Sequence, residues 1–322
     1  DYPVITPEGK RGMVITWRLT GDGTGALTMC DFDESCSPGV LLETEYTAME
    51  LTDLTGDGAR DLLLMTTDPD GRRVARLYQY QNDMLLQAGE VSTSPETASV
   101  ERMRSGRVQP SQPAVFAEER MASGVGLTTD IFVYHEGTLM NLALDGEDSI
   151  TRSTYRPISV YASDINADGV TELPRAVLMA GYDDAAASDA IFMLDWYVYS
   201  PDRPPVAVAT TYDNISDGWR LSIDPAWHAR ITAVKTTENN LSKVEFYEYL
   251  GSGNQRPLFS IYMATGATRE YYAGRSDLIQ LGESSQAVYF AKLAADTQGD
   301  TLQIESEDIK SRFSLVTQDW SD

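Results

Sequence analysis

Asp53-Leu54-Thr55-Gly56-Asp57-Gly58-Ala59-Arg60-Asp61 and Asp164-Ile165-Asn166-Ala167-Asp168-Gly169-Val170-Thr171-Glu172 are two copies of one pattern. Oxygen-bearing side chains fall at positions 1, 3, 5 and 9, and glycine falls at position 6. Glycine there permits a sharp turn, so alternate side chains aim at one point and the position-7 carbonyl turns inward. An all-oxygen set suits a hard cation such as Ca2+, which takes six to eight oxygens at roughly 2.3–2.6 Å. The expected ligands are Asp53, Thr55, Asp57, the Ala59 carbonyl and Asp61 in the first loop. In the second they are Asp164, Asn166, Asp168, the Val170 carbonyl and Glu172. The second loop is the stronger, because Asn166 is a better ligand than Thr55. One Asp-x-Asn-x-Asp-Gly alone is ordinary turn chemistry; the acid at position 9 in both copies favours cation binding. Position 12, where a helix–loop–helix site carries its bidentate carboxylate, is Leu64 and Arg175, and both loops run into β-like segments.

Working outward, short apolar runs rich in β-branched and aromatic residues predict many strands: 13–17, 26–30, 61–67, 75–80, 84–91, 113–118, 130–135, 175–180 and 191–199. Long helical periodicity is absent before residue 210. The runs repeat at an offset of about 49 residues, which lays Gly9 on Gly58, Arg11 on Arg60 and Glu8 on Asp57. Each unit reads as a loop at a unit boundary followed by three strands, as a propeller blade needs, and one such sheet cannot bury both faces alone. The position equivalent to the first loop near Glu8 has Val4 at position 1 and Gly12 at position 9, so it is expected to hold no metal. The fold class expected is mainly β: a propeller-like repeat domain over 1–210, then a small α+β domain over 211–322. The latter ends in a helix within 306–316 with Ser306 as its N-cap.

The segments DLTGDGARDLLLM and DINADGVTELP resemble the calcium loops of FG-GAP/VCBS repeats, found in integrin-α-like β-propellers and bacterial surface proteins. The resemblance covers about residues 1–210. It implies structural Ca2+, a binding or structural role without catalysis, and a divergent surface-lipoprotein type joined to a C-terminal domain. It implies an extracellular, cell-surface location, a protein or glycan ligand, and a lipid anchor on an N-terminal segment. The chain starts at Asp1 without Met and reads as a mature form or an expressed fragment whose targeting segment is removed.

Composition excludes other classes. There are 49 acids against 25 bases, a formal charge of −24, so nucleic acid and anionic membrane are poor partners. Cys30 and Cys36 bracket a polar hairpin tip and fit either a disulfide or two thiols; without a nearby His they make no zinc site. A nucleophile–histidine site would have to use His135 or His228, which fall in different expected domains and read as turn residues. Asp31-Phe32-Asp33 reads as a hairpin tip and not as a phosphatase nucleophile pair. HExxH, GxSxG and phosphate-loop motifs are absent. The alternative function is a secreted glycan-active hydrolase using a carboxylate pair, whose separation a sequence does not show. The tryptophans Trp219 and Trp227 alternate with apolar positions and are expected in a core.

Overall fold

The computed structural model describes residues 3–6, 9–18, 24–32, 35, 37–144, 154–185, 189–238, 241–251, 253–295, 302 and 304–316. The chain groups into two compact units: Asp1–Arg175 with Tyr197–Val206, and Ala176–Trp196 with Ala207–Asp322. It is mainly β: the described residues form five antiparallel sheets, none of them closed into a barrel.

The first sheet is β1 (Met13–Arg18), β2 (Gly25–Phe32) and β3 (Pro38–Tyr46) in that order. The second is β4 (Ala48–Thr52), β5 (Asp61–Thr67), β6 (Arg73–Gln81) and β7 (Met84–Ser92), again in chain order. The third meanders likewise through β8 (Thr97–Gln109), β9 (Gln112–Met121), β10 (Leu127–His135) and β11 (Thr138–Asn141). Asn82 and Asp83, with φ of 51° and 59°, and Glu136 and Gly137, with φ of 49° and 81°, supply the left-handed pairs of two-residue hairpin turns.

Central strands decide the packing. Leu62, Leu63, Leu64 and Met65 of β5 are all buried, so both faces of the strand are covered. One face, Leu62 and Leu64, packs with Val14, Leu27 and Met29 of the first sheet. The other, Leu63 and Met65, packs with Val115, Ala117 and Phe132 of the third. The far face of the third sheet, Phe116, Ile131 and Val133, meets Ala162, Leu173 and Tyr199. Consecutive meanders thus stack face against face, which is why continuous apolar runs occur in place of strict alternation. Gly89 of β7 lies so close to Leu139 of β11 that a Cβ there would stand 2.7 Å from the Leu139 Cβ.

The fourth sheet has the order β12 (Leu173–Leu178), β13 (Phe192–Val198), β14 (Val206–Asn214), β15 (Trp219–Ile223), β21 (Phe313–Leu315), and the division between units passes through its first three strands. The fifth comprises β16 (Ile231–Glu238), β17 (Leu241–Tyr249), β18 (Gln255–Thr265), β20 (Ala287–Leu293) and β19 (Ile279–Glu283), in that spatial order. In the second unit Trp219, Trp227, Phe246, Phe259 and Ile261 share one core, and Phe246 stacks on Phe259 at 4.7 Å between centroids. Two short helices, α1 (Thr268–Ala273) and α2 (Ser306–Arg312), complete it. The C-terminal helix is shorter than expected and its N-cap is Glu305, not Ser306: Glu305 and Asp308 form a reciprocal capping box. Phe313 leaves the helix because the chain there pairs with β15, Leu221 opposite Phe313.

A polar seam runs between β9 and β10. Arg156, fully buried, pairs with buried Glu118 and donates to Thr129 Oγ1 at 2.9 Å. Next to it Glu119 accepts from Thr97 Oγ1 at 2.7 Å and pairs with Arg73 at 2.7 Å. Asp130 accepts from the Ser94 amide and hydroxyl. Burial, then the Asp130 carboxylate, push Glu119 well above its ordinary 4.5, outweighing the Arg73 guanidinium. An acid whose folded pKa is raised contributes stability that is complete below 4.5 and declines as pH rises through the folded value. Denaturant midpoints between pH 5 and 9 should therefore fall in the wild type and fall less in Glu119→Gln; equal slopes would place the pH dependence elsewhere.

Candidate metal centre

The first Asp-rich loop joins β4 to β5 inside one sheet and not at a boundary between units, as its repeat position suggests. The short strand ahead of it, Ala-Met-Glu-Leu-Thr, is too mixed to announce itself. The second loop repeats the arrangement in reduced form: Ser163 bridges Glu172, just as Thr52 pairs with Asp61. A shorter relative is Val4 bridging Arg11 around Gly9, whose φ is 93°; it joins positions 1 and 8 where the Asp-rich loops join the residue before position 1 to position 9. Glu8 lies outside the described residues.

Both Asp-rich loops follow one backbone path. Positions 4 and 6 are left-handed in each: Gly56 and Gly58 with φ of 78° and 90°, Ala167 and Gly169 with φ of 60° and 84°. Position 1 holds the turn through amides: Asp53 accepts from Gly56, Asp57 and Gly58, and Asp164 accepts from Asp168 and Gly169. Position 5 repeats this locally, Asp57 accepting from the Ala59 amide and Asp168 from the Val170 amide, both at 2.8 Å. Position 9 begins the next strand and reaches back: Asp61 Oδ2 accepts from the Leu54 and Thr55 amides at 2.9 Å and from Thr55 Oγ1 at 3.0 Å, and Glu172 accepts from the Ile165 amide at 3.0 Å. Position 8 docks the loop on its neighbour. The Arg60 amide donates to the Val4 carbonyl, and the Thr171 amide donates to the Arg107 carbonyl, each at 2.8 Å.

The expected ligands are thus brought together in two groups, one per loop. Burial, with the Asp57 carboxylate adding to it, pushes Asp61 up to about 6 against the hydrogen bonds it accepts. Burial, then Asp168 and Asp164, also raise Glu172. In the second loop the Asn166 amide nitrogen donates to Asp168 at 3.0 Å and to Glu172 at 3.2 Å, so a positive hydrogen edge stands between the two acids. The position-7 carbonyls of Ala59 and Val170 accept no hydrogen bond among the described residues. The donor set is wholly oxygen and fits a hard cation. Its arrangement does not reach coordination: among the described residues no group of three or more His, Cys, Asp or Glu stands ready to hold a metal. The side chains of the first position are spent on backbone amides.

The remaining candidates resolve as follows. His135 lies 3.1 Å from Asp202 and 3.2 Å from Gln112; His228 lies 3.1 Å from Asp195. Among the described residues neither ring bonds a serine or cysteine. Asp31 is held by Lys10 at 2.8 Å and Tyr80 at 2.9 Å, while Asp33 lies outside the described residues. Cys30 is buried, and Cys36, the other half of the disulfide alternative, lies outside the described residues. Sequence reasoning missed Arg156 and the buried Glu118, Glu119 and Asp130, which carry no spacing signal.

Ala167 occupies a conformation that costs an L side chain roughly 1 kcal/mol and that its counterpart Gly56 takes freely. Ala167→Gly should therefore stabilise the protein by about 0.5 kcal/mol after the entropy glycine gains in the unfolded chain is counted. Thermal melts of the two proteins check this; a destabilised variant would mean the strain is absent.

No family model matches the chain, and no curated protein matches it. Among solved structures, an exotype rhamnogalacturonan lyase, YesX, is similar with a TM-score of 0.40 and 10% identity, over 80% of this chain and 54% of that one. The chain thus spans about half the length of that structure. A likeness at this level assigns neither fold nor activity.

Proposed function

We propose that the chain is a non-catalytic, extracytoplasmic calcium-binding protein of the FG-GAP/VCBS type, held at a bacterial surface, whose stacked four-strand meanders form all or part of a propeller-like array. The observation that carries the reading is the identity of the two loops. They share backbone path, amide-capped position 1, open position-7 carbonyl and strand-leading acid at position 9. Turn chemistry explains the amide caps. It does not explain why other carboxylates crowd a buried acid in both loops, Asp57 beside Asp61 and Asp168 with Asp164 beside Glu172. A divalent cation among Asp57 and Asp61, or Asp168 and Glu172, would offset that repulsion and tie each strand-leading acid to its turn.

In this reading calcium is structural. The position-8 amide fastens the second loop to β8 and the first to Val4, so ordering each loop also orders its neighbour. Loops whose acids are already half-satisfied by their own amides belong with the weak extracellular calcium modules, with dissociation constants of about 10⁻⁴–10⁻³ M. Such sites fill only where calcium is abundant, which supports the location outside the cytoplasm.

At 1 mM calcium and a dissociation constant of about 10⁻⁴ M, one site adds about 1.4 kcal/mol. For a protein of 322 residues that corresponds to a rise of about 2 °C in melting temperature relative to chelator. Asp168→Ala should remove much of the rise while leaving the chelated melt within a few degrees of the wild type. A melt unmoved by calcium would overturn the reading.

A further inference from the structure

Arg11 and Arg60 hold equivalent places two residues after a left-handed glycine, Gly9 and Gly58, in successive copies of the repeat. The folded chain brings these copies together. The Arg60 amide donates to the Val4 carbonyl at 2.8 Å, and Val4 itself bridges Arg11. Both exposed arginines then line one open cavity of about 590 Å³, together with Pro3, Val4, Met49, Glu50 and Leu51. This volume lies in the range of small-ligand sites.

The charge of this cavity runs against that of the chain. The whole protein carries a formal charge of −24, yet among the described residues the lining holds two arginines and one acid. The acid, Glu50, accepts from the Ser105 amide of β8 at 3.2 Å, and Arg104 of the same strand acts on its carboxylate. β4 is the outer strand of its sheet, and there Arg60 Nη1 donates to the Leu51 carbonyl at 2.8 Å, which holds the guanidinium beside the strand. Arginine pairs carboxylates bidentately through its planar fork, so a cavity lined by two arginines suits a planar anion more than a spherical one. Met49, Leu51, Pro3 and Val4 supply a partly apolar floor for the body of the ligand.

We propose that this cavity binds a small carboxylate-bearing ligand, with Arg11 and Arg60 taking the carboxylate and Glu50 setting the limit of the site. The proposal does not rest on calcium, because Arg60 is placed through its backbone amide and its bond to Leu51.

The test is calorimetric titration of the full chain with D-glucuronate, succinate, D-glucose and inorganic phosphate, in chelator and again in calcium. Saturable binding of at least one carboxylate and none of glucose is expected in chelator, so failure of the calcium reading leaves the result standing. Arg60→Ala should weaken binding on the order of tenfold, and Arg60→Lys should recover part of it. Should Arg60→Ala unfold, Arg11→Gln carries the same expectation. Glu50→Gln should tighten binding severalfold by removing the opposing charge. No carboxylate binding, equal heats for glucose, tighter binding of phosphate, or folded arginine variants that bind as the wild type would each overturn the proposal.

Discussion

The structure of the first unit follows from strands that are apolar on both faces. A four-strand meander with a buried centre has two surfaces to hide, and it can hide them only against other meanders. β5 shows the constraint directly, with Leu62 and Leu64 committed to one neighbour and Leu63 and Met65 to the other. A one-residue slip of register would exchange these partners and also move Asp61 out of its hydrogen-bonded place at the head of the strand. Packing and loop geometry are therefore set by the same register.

This coupling explains why the Asp-rich loops are built as they are. Left-handed residues at positions 4 and 6 let the turn close in nine residues, and position 1 gathers the amides so exposed. That frees the position-8 amide to face outward onto the preceding copy. The cost is a buried acid next to other acids, and both Asp61 and Glu172 register it as a raised pKa. In the third sheet the same problem is met differently: the buried Glu118 has Arg156 beside it, and β8 turns into β9 at Gln109–Gln112 with no acidic loop at all. A buried acid in the stack thus meets a guanidinium, as Glu118 and Glu119 do, the Ser94 amide and hydroxyl, as Asp130 does, or the amides of its own loop, as Asp61 and Glu172 do.

Much of this was legible in the residues. The run Asp61–Thr67 is a strand from end to end, as its apolar residues predict. Trp219 and Trp227 are buried in the second unit's core. What escaped were strands whose burial depends on partners. β8 is 13 residues long, yet Glu101, Arg102, Arg104 and Arg107 interrupt its apolar alternation, and only pairing with buried β9 makes it a strand. β4 was hidden for the same reason, and with it the fact that the first Asp-rich loop lies within a sheet. Loop chemistry is local and can be read from nine residues; the identity of a neighbour is not.

The repeat of Arg11 and Arg60 shows the same limit from the other side. Their alignment was visible in the sequence as periodicity, but periodicity places residues in equivalent positions of different copies and says nothing of whether those positions meet. They meet because the position-8 amide of Arg60 draws its copy onto Val4, which itself bridges Arg11. Any residue next to that amide is carried toward its predecessor. In the second Asp-rich loop the corresponding residue is Thr171, whose Oγ1 lies close enough to Gly106 of β8 that a Cβ there would stand 2.5 Å away. There the docked position is filled by a short side chain packed on a glycine, and at Arg60 it opens into a cavity. One backbone device thus yields a tight joint in one copy and an arginine-lined cavity in another, and the side chain at position 8 marks the difference.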